Sequence, residues 1–192
     1  MKKFELTTES ITNALGKKLF RIKALVEFGD VKAGELGGYV EKEGNVSQDG
    51  NAWVYEDAAV YGDAKVYGDA QVSGDAQVYG DARVSGNAWV YGDARVYGDA
   101  QVYGDAEVSG NARVSGNADY ACIKGFGTEF RHTTFYKTKE NGIGVKCGCF
   151  NGSLEQFREQ VKKTRTGKIA KEYLTIADLM EEHFTSEDSD NE

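Results

Sequence analysis

Four side chains that could share a metal ion lie in the second half of the chain: Cys122, His132, Cys147 and Cys149. Thiolates and imidazole are the natural zinc donors of a reduced protein. The Cys147-x-Cys149 spacing is too tight for the usual zinc knuckle, however, and alternate residues of a strand share one face. Core thiols are the plainer expectation. Between these cysteines runs Gly125-x-Gly127-Thr128, followed by Arg131, His132 and Thr133. Glycines let backbone amides approach an anion, and the guanidinium fork of Arg131 can pair an oxyanion at two points. Gly125, Gly127, Thr128, Arg131, His132 and Thr133 are therefore the candidate ligand-binding residues. A set of plain turns is the alternative. Nothing in the spacing assigns a catalytic or metal-binding residue, and no cofactor is expected.

What must hold these residues is a repeat. Val recurs every six residues at 54, 60, 66, 72, 78, 84, 90, 96, 102, 108 and 114. Ala precedes each by two, giving Ala-x-Val-[Tyr/Ser]-Gly-[Asp/Asn], and only Glu56 breaks the glycine column. Residues two apart on an extended segment point the same way, so Ala and Val form an inward face. Gly beside Asp or Asn supplies a corner with positive φ. Three such edges close a triangular coil of about eighteen residues, and coils stack through parallel ladders at about 4.8 Å. A strict short period of this kind is the signature of a solenoid.

Stacking at eighteen residues sorts the outward side chains. Asp57, Asp75 and Asp93 fall at one corner, Asp63, Asp81 and Asp99 at the next, and Asp69, Asn87 and Asp105 at the third. Local capping and solubility account for these columns; cation binding or imitation of a phosphate backbone are the sharper alternatives. Tyr61, Tyr79 and Tyr97 line one face beside Arg95 and Arg113, and Trp53, Tyr55, Trp89 and Tyr91 another. Outward Tyr, Trp and Arg at this density suit an interface, with ladder packing within the face as the alternative. The tyrosine face with its two arginines is the expected contact of a homo-oligomer, dimer or trimer.

The 192 residues include 24 glycines, 11 tyrosines, three cysteines and no proline. No apolar run approaches the ~18 residues of a membrane span. The opening Met1-Lys2-Lys3-Phe4 lacks a secretory apolar core, and an odd cysteine count is no disulfide framework. A cytoplasmic protein with reduced thiols, away from membranes, is expected. The net charge of −8 divides as +2 over 1–40, −9 over 41–119, +3 over 120–184 and −4 over 185–192. The acidic repeats offer no basic stripe for direct nucleic-acid binding.

Residues 1–39 are expected to form an N-terminal cap, with an undecided stretch at 4–16 that could hold a short helix. A strand over Lys18–Phe28 and a glycine-punctuated loop at Gly29–Gly38 follow. Residues 40–119 are the coils, the first carrying a two-residue bulge between Val46 and Val54. Residues 120–184 form an α+β module: a hairpin of 133–137 with 143–147 around Glu140-Asn141-Gly142, then two helices. Ser153 and Gln156 make a capping box for the first, Gly167 stops it, and the second spans about Ile169–Phe184. The module is expected to close the last coil, and residues 185–192 form an acidic, disordered tail.

The hexads resemble those of left-handed parallel β-helix proteins, the hexapeptide-repeat class. That resemblance implies a mainly β fold, a left-handed triangular parallel β-helix, capped at its N-terminus and followed by the α+β module. Gly29-Asp30-Val31-Lys32-Ala33-Gly34-Glu35-Leu36-Gly37-Gly38, Gly125-Phe126-Gly127-Thr128, Arg131 to Phe135 and Cys147-Gly148-Cys149-Phe150-Asn151-Gly152 are similar to phage and prophage proteins labelled polymer-forming. The resemblance implies a non-enzymatic binding or scaffold protein of the host cytoplasm that inhibits or sequesters a host defence factor, a host protein or an anionic nucleotide ligand. Two alternatives stay open. Many hexapeptide-repeat proteins are acyltransferases, with a histidine base; here His132 and His183 both lie outside the regular coils. A virion-associated structural protein or an acidic DNA mimic is the other.

Overall fold

The computed structural model describes residues 2–185, so the expected acidic tail lies outside the described residues apart from Thr185. Two compact units form, Met1–Asn117 and Ala118–Glu192.

The first unit opens with three strands, β1 (Phe4–Thr12), β2 (Lys18–Ala24) and β3 (Leu36–Val40). Eleven two-residue strands follow, β4 (Trp53–Val54) to β14 (Arg113–Val114), one in every hexad. The strands are short because each corner glycine turns the chain, with φ between +61° and +73° from Gly62 to Gly110. Stacking falls at eighteen residues: Val60 pairs with Val78, Val78 with Val96 and Val96 with Val114, all parallel. Three parallel sheets result, on the Val60, Val54 and Val66 rows. Every Ala and Val of the columns from Ala52 to Val114 is fully buried, whereas Ala118, beyond them, is exposed. Burying a valine stabilises by about 1.5–3 kcal/mol, so the columns dominate the stability of this unit.

Glu56, the break in the glycine column, takes φ of +55°. Its carboxylate accepts a 2.6 Å hydrogen bond from the Gly74 amide on the next coil, which offsets the strain. At the third corner Asn51 and Asn87 each donate to the aspartate one coil on, Asp69 at 2.8 Å and Asp105 at 2.9 Å. Asparagines thus interrupt the like-charge column where it stacks. Val46 pairs with Val66 through an isolated bridge, so the two extra residues do fall between Val46 and Val54.

The region expected to be undecided at 4–16 is strand β1, paired antiparallel with β2 and carrying an irregularity between Leu6 and Ser10. Its β-branched Thr7, Thr8, Ile11 and Thr12 suit that pairing better than a helix. Gly37 and Gly38, expected in a loop, lie inside β3. A Cβ at Gly38 would sit 2.5 Å from the Ala58 carbonyl oxygen, and one at Gly37 would sit 2.6 Å from that of Val54. These glycines serve close approach rather than turning. Through them β3 joins the Val60 row in parallel while its other edge pairs antiparallel with β2. Trp53, expected to point outward, is fully buried against Phe4 and Phe28 at centroid distances of 5.9 and 5.3 Å.

Lys3 ties this cap to the coils. Its side chain is 4 % exposed and Nζ donates to the carbonyls of Gly50 at 3.2 Å and Ala52 at 2.9 Å. Burial pushes its pKa down to about 8 against the pull of Asp49 and Asp69. Below that pH Lys3 is charged in folded and unfolded chains alike, and its contribution to stability is flat. Between about 8 and the ordinary value of 10.5 only the unfolded chain keeps the proton, so this group makes stability rise with pH. In Lys3→Met that rise is absent: the gap in urea midpoint between parent and variant should widen in the parent's favour from pH 8 to 10. A gap that stays constant contradicts the burial of this ammonium.

The second unit is a meander of four antiparallel strands, β15 (Tyr120–Ile123), β16 (Thr133–Lys137), β17 (Ile143–Cys147) and β18 (Phe150–Ser153), in that order. Helices α1 (Leu154–Thr164) and α2 (Gly167–Thr185) pack on it through Leu154, Phe157, Val161, Tyr173, Ile176, Ala177 and Met180, over Phe135 and Val145. The expected hairpin and the Ser153–Gln156 capping box are present. Gly167 does not stop α1: the helix ends at Thr164 with Arg165 as its cap, and Gly167 opens α2 with φ of +60°.

Candidate anion site of the C-terminal unit

Positioning begins at the hairpin between β17 and β18. Gly148 and Cys149 form its two-residue turn, with Gly148 at φ +57°. That places positive φ at the first central position, where a type II′ turn requires glycine. Bare backbone at Gly148 leaves room for Arg131, whose Nη1 would lie 2.5 Å from a Cβ built there. On the other side α1 presents Phe157, Gln160, Val161 and Thr164, spaced as one helical face. Arg165, extended at φ −127° and ψ 150°, and Tyr173 of α2 complete a cavity of about 190 Å³ that also includes Cys147, Cys149 and Phe150.

No acidic side chain lines this cavity, and neither Arg131 nor Arg165 pairs with a carboxylate among the described residues. Tyr173 donates to the Phe126 carbonyl at 3.2 Å. Burial pushes the Tyr173 hydroxyl above its ordinary range and the neighbouring Cys147 adds to this, while Arg165 and Arg131 pull the other way. The phenol therefore stays protonated and uncharged at neutral pH. What the arrangement can do is hold an oxyanion between two forked cations against the rings of Phe150, Phe157 and Tyr173.

The candidates from the 125–133 segment do not converge as one cradle. Arg131 reaches the cavity. Gly127 packs on Tyr173, whose hydroxyl a Cβ at that position would overlap; Gly125 meets open space. Thr128 is exposed and His132 half-buried. Thr133 is 1 % exposed and its hydroxyl donates to Cys147 Sγ at 3.1 Å, so it does not face a ligand. Cys147 and Cys149 are not neighbours on one strand face: Cys147 ends β17, half-buried, and Cys149 is exposed on the turn. No three His, Cys, Asp or Glu side chains converge as metal donors among the described residues. Arg165, just after α1, and Tyr173 of α2 were not among the candidates. The one sequence signal for Arg165 is the basic run Lys162-Lys163-Thr164-Arg165 at the end of α1.

In the first unit Tyr61, Tyr79 and Tyr97 do stack, at 5.0 and 5.2 Å with rings within 1° and 8° of parallel. Tyr61 is only 5 % exposed, because Leu19 and Tyr39 of the chain's own cap pack on it. Little of its surface is left for a partner chain to contact. Arg113 folds back onto the carbonyls of Asp93, Asn111 and Ala112, whereas Arg95 stays exposed.

The family model of the YdcK beta solenoid repeat matches residues 76–92 and 88–104. Both segments lie within the regular coils, so the match supports a β-solenoid repeat protein and reaches neither the cap nor the cavity. No curated protein matches the chain. No helix among the described residues is long and apolar enough to cross a membrane.

Proposed function

We propose that this chain is a non-enzymatic binding protein in which the solenoid is a scaffold and the C-terminal cavity takes a phosphate-type oxyanion. One observation carries the proposal: Arg131 and Arg165, unpaired by any carboxylate among the described residues, line one cavity with an aromatic wall. A volume of about 190 Å³ is below the roughly 300–1,000 Å³ of drug-sized sites. It suits a single phosphate group, free or carried by a larger host ligand, better than a whole nucleotide. The mildly basic charge of 120–184, beside acidic coils, draws an anion to this unit.

The proposal is tested by titrating inorganic phosphate into the full-length protein, followed by calorimetry. Charge-assisted hydrogen bonds contribute about 1.5–3 kcal/mol, so Arg131→Ala and Arg165→Ala should each weaken binding by roughly ten- to a hundredfold. Arg131→Lys should recover only part, since an ammonium lacks the fork. Arg131 is exposed and makes no hydrogen bond or ion pair among the described residues, so the melt should stay close to the parent's. Phosphate binding that is undetectable in the parent, or unchanged in both alanine variants, refutes the site.

A further inference from the structure

The N-terminal unit holds a second and larger cavity, about 470 Å³, between the end of the β1–β2 hairpin and the tyrosine ladder. Ile11, Leu15 and Leu19 form its hairpin wall, and Tyr61, Tyr79 and Arg95 its ladder wall. The volume falls within the roughly 300–1,000 Å³ range of small-molecule sites. Leu15 is 70 % exposed, an apolar side chain at the aromatic wall left largely uncovered by the described residues.

Three polar features give the groove a sign. Arg95 makes no ion pair with a carboxylate among the described residues, and its guanidinium lies close enough to Tyr61 and Tyr79 to act on both hydroxyls. Burial pushes those two hydroxyls up, so neither carries negative charge at neutral pH. Gln77 accepts the Tyr61 hydroxyl through Oε1 at 3.2 Å, which leaves its amide nitrogen as a donor.

Asn13 is the third feature and the most specific. Its Oδ1 accepts from the amides of Leu15 and Lys17, both at 3.0 Å, to close the hairpin turn. Those two donors fix which end of the amide is oxygen. Nδ2 is thereby directed away from the turn, and it is buried without a hydrogen-bond partner. A buried donor left unsatisfied is costly, and because Nδ2 has almost no accessible surface, an oxygen acceptor in the groove relieves it only with a shift of the Asn13 side chain. The acidic group on the lining, Asp57, lies within 3.8 Å of Arg21. Its backbone stands two rungs from that of Arg95, Ala59 to Gln77 to Arg95, or about 10 Å.

We propose that this groove binds a small aromatic carboxylate, its ring between Leu15 and Tyr79 and its carboxylate on Arg95. The faces of Tyr79 are covered by Tyr61 and Tyr97, so the ladder presents ring edges to the groove, and a ligand ring meets them edge to face. A carboxylate matches the guanidinium fork and supplies the oxygen acceptor that the Asn13 and Gln77 amides lack. The ligand class thus follows from an apolar slot with a cation at one end and amide donors along it.

The test uses 2-naphthoate and its neutral counterpart 2-naphthalenemethanol, titrated into the full-length protein. The carboxylate should bind one to one and at least about tenfold tighter than the alcohol. Arg95→Gln, which repeats the residue one rung away at Gln77, should erase that preference and leave the alcohol's affinity unchanged. Leu15→Asp should weaken both probes. Arg131→Ala, in the other unit, should alter neither, which keeps this groove distinct from the phosphate cavity. Three results overturn the proposal: no saturable binding of 2-naphthoate, equal affinity for the two probes, or no effect of Arg95→Gln. A dimer mass by light scattering in a protein that rejects 2-naphthoate assigns the groove to a second copy of the chain instead.

Discussion

Val84→Asp should abolish the folded state, while Arg83→Asp, one residue away, should leave it nearly unchanged. Val84 is fully buried at the centre of the Val66–Val84–Val102 row. A carboxylate there meets only Ala and Val side chains, with the backbone amides on either side already committed to neighbouring coils: Tyr67 donates to the Val84 carbonyl at 3.1 Å and Ser85 to that of Val102 at 2.9 Å. Burying an unpaired ion costs several kcal/mol even after relaxation, and protonating it still leaves an unsatisfied hydroxyl in place of an apolar side chain. Against a typical stability of about 5–15 kcal/mol, and with coils that depend on both neighbours, the loss propagates. Arg83 points outward beside Lys65 and Gln101 of the flanking rungs. Aspartate at 83 exchanges a repulsion with Lys65 for an attraction, an effect within about 0.5 kcal/mol on an exposed face. Thermal melts by circular dichroism read the difference: no cooperative transition for Val84→Asp at neutral pH, and a parent-like one for Arg83→Asp. Superimposable melts would contradict the inward face.

The second large effect separates two tryptophans that occupy the same column of the repeat. Trp53→Ala should cost about 3–5 kcal/mol, the usual loss for a large buried aromatic. Trp89→Ala should cost under about 1 kcal/mol. Trp53 is fully enclosed between Phe4 and Phe28, where the cap seats on the first coil. Trp89, two coils on, is 41 % exposed, tilted on Tyr91 at 4.5 Å and donating to Ser73 Oγ at 3.0 Å. Urea midpoints at matched slope give both numbers. Equal losses would mean that the cap does not cover Trp53.

Those two residues also show where sequence reasoning reached its limit. The inward columns, the corners and the eighteen-residue stacking were legible because local spacing alone dictates them: Val60 meets Val78 whatever precedes the repeat. Trp53 and Trp89 read alike in the hexad, and only the non-local return of β1 and β2 buries one of them. Gly37 and Gly38 read as turn residues for the same reason, since the carbonyls they must approach belong to Val54 and Ala58, in the next coil. Tyr61, chosen for an interface, is covered by Leu19 and Tyr39 of that same cap. In the second unit the hairpin and the capping box follow from short-range patterns. The cavity does not, because Arg131 precedes β16 whereas Arg165 and Tyr173 are placed by helices more than thirty residues later. Thr133 was a candidate on chemistry alone, and strand alternation turned its hydroxyl onto Cys147.

The location of a bound oxyanion tests the central claim most directly. Crystals of the full-length protein soaked in tungstate, a phosphate-like anion with a strong anomalous signal, should show its principal peak between the guanidiniums of Arg131 and Arg165. The same soak of Arg131→Ala should lose that peak. Tungstate bound only on the solenoid, or still at full strength in the Arg131→Ala protein, would contradict a ligand site in the C-terminal unit.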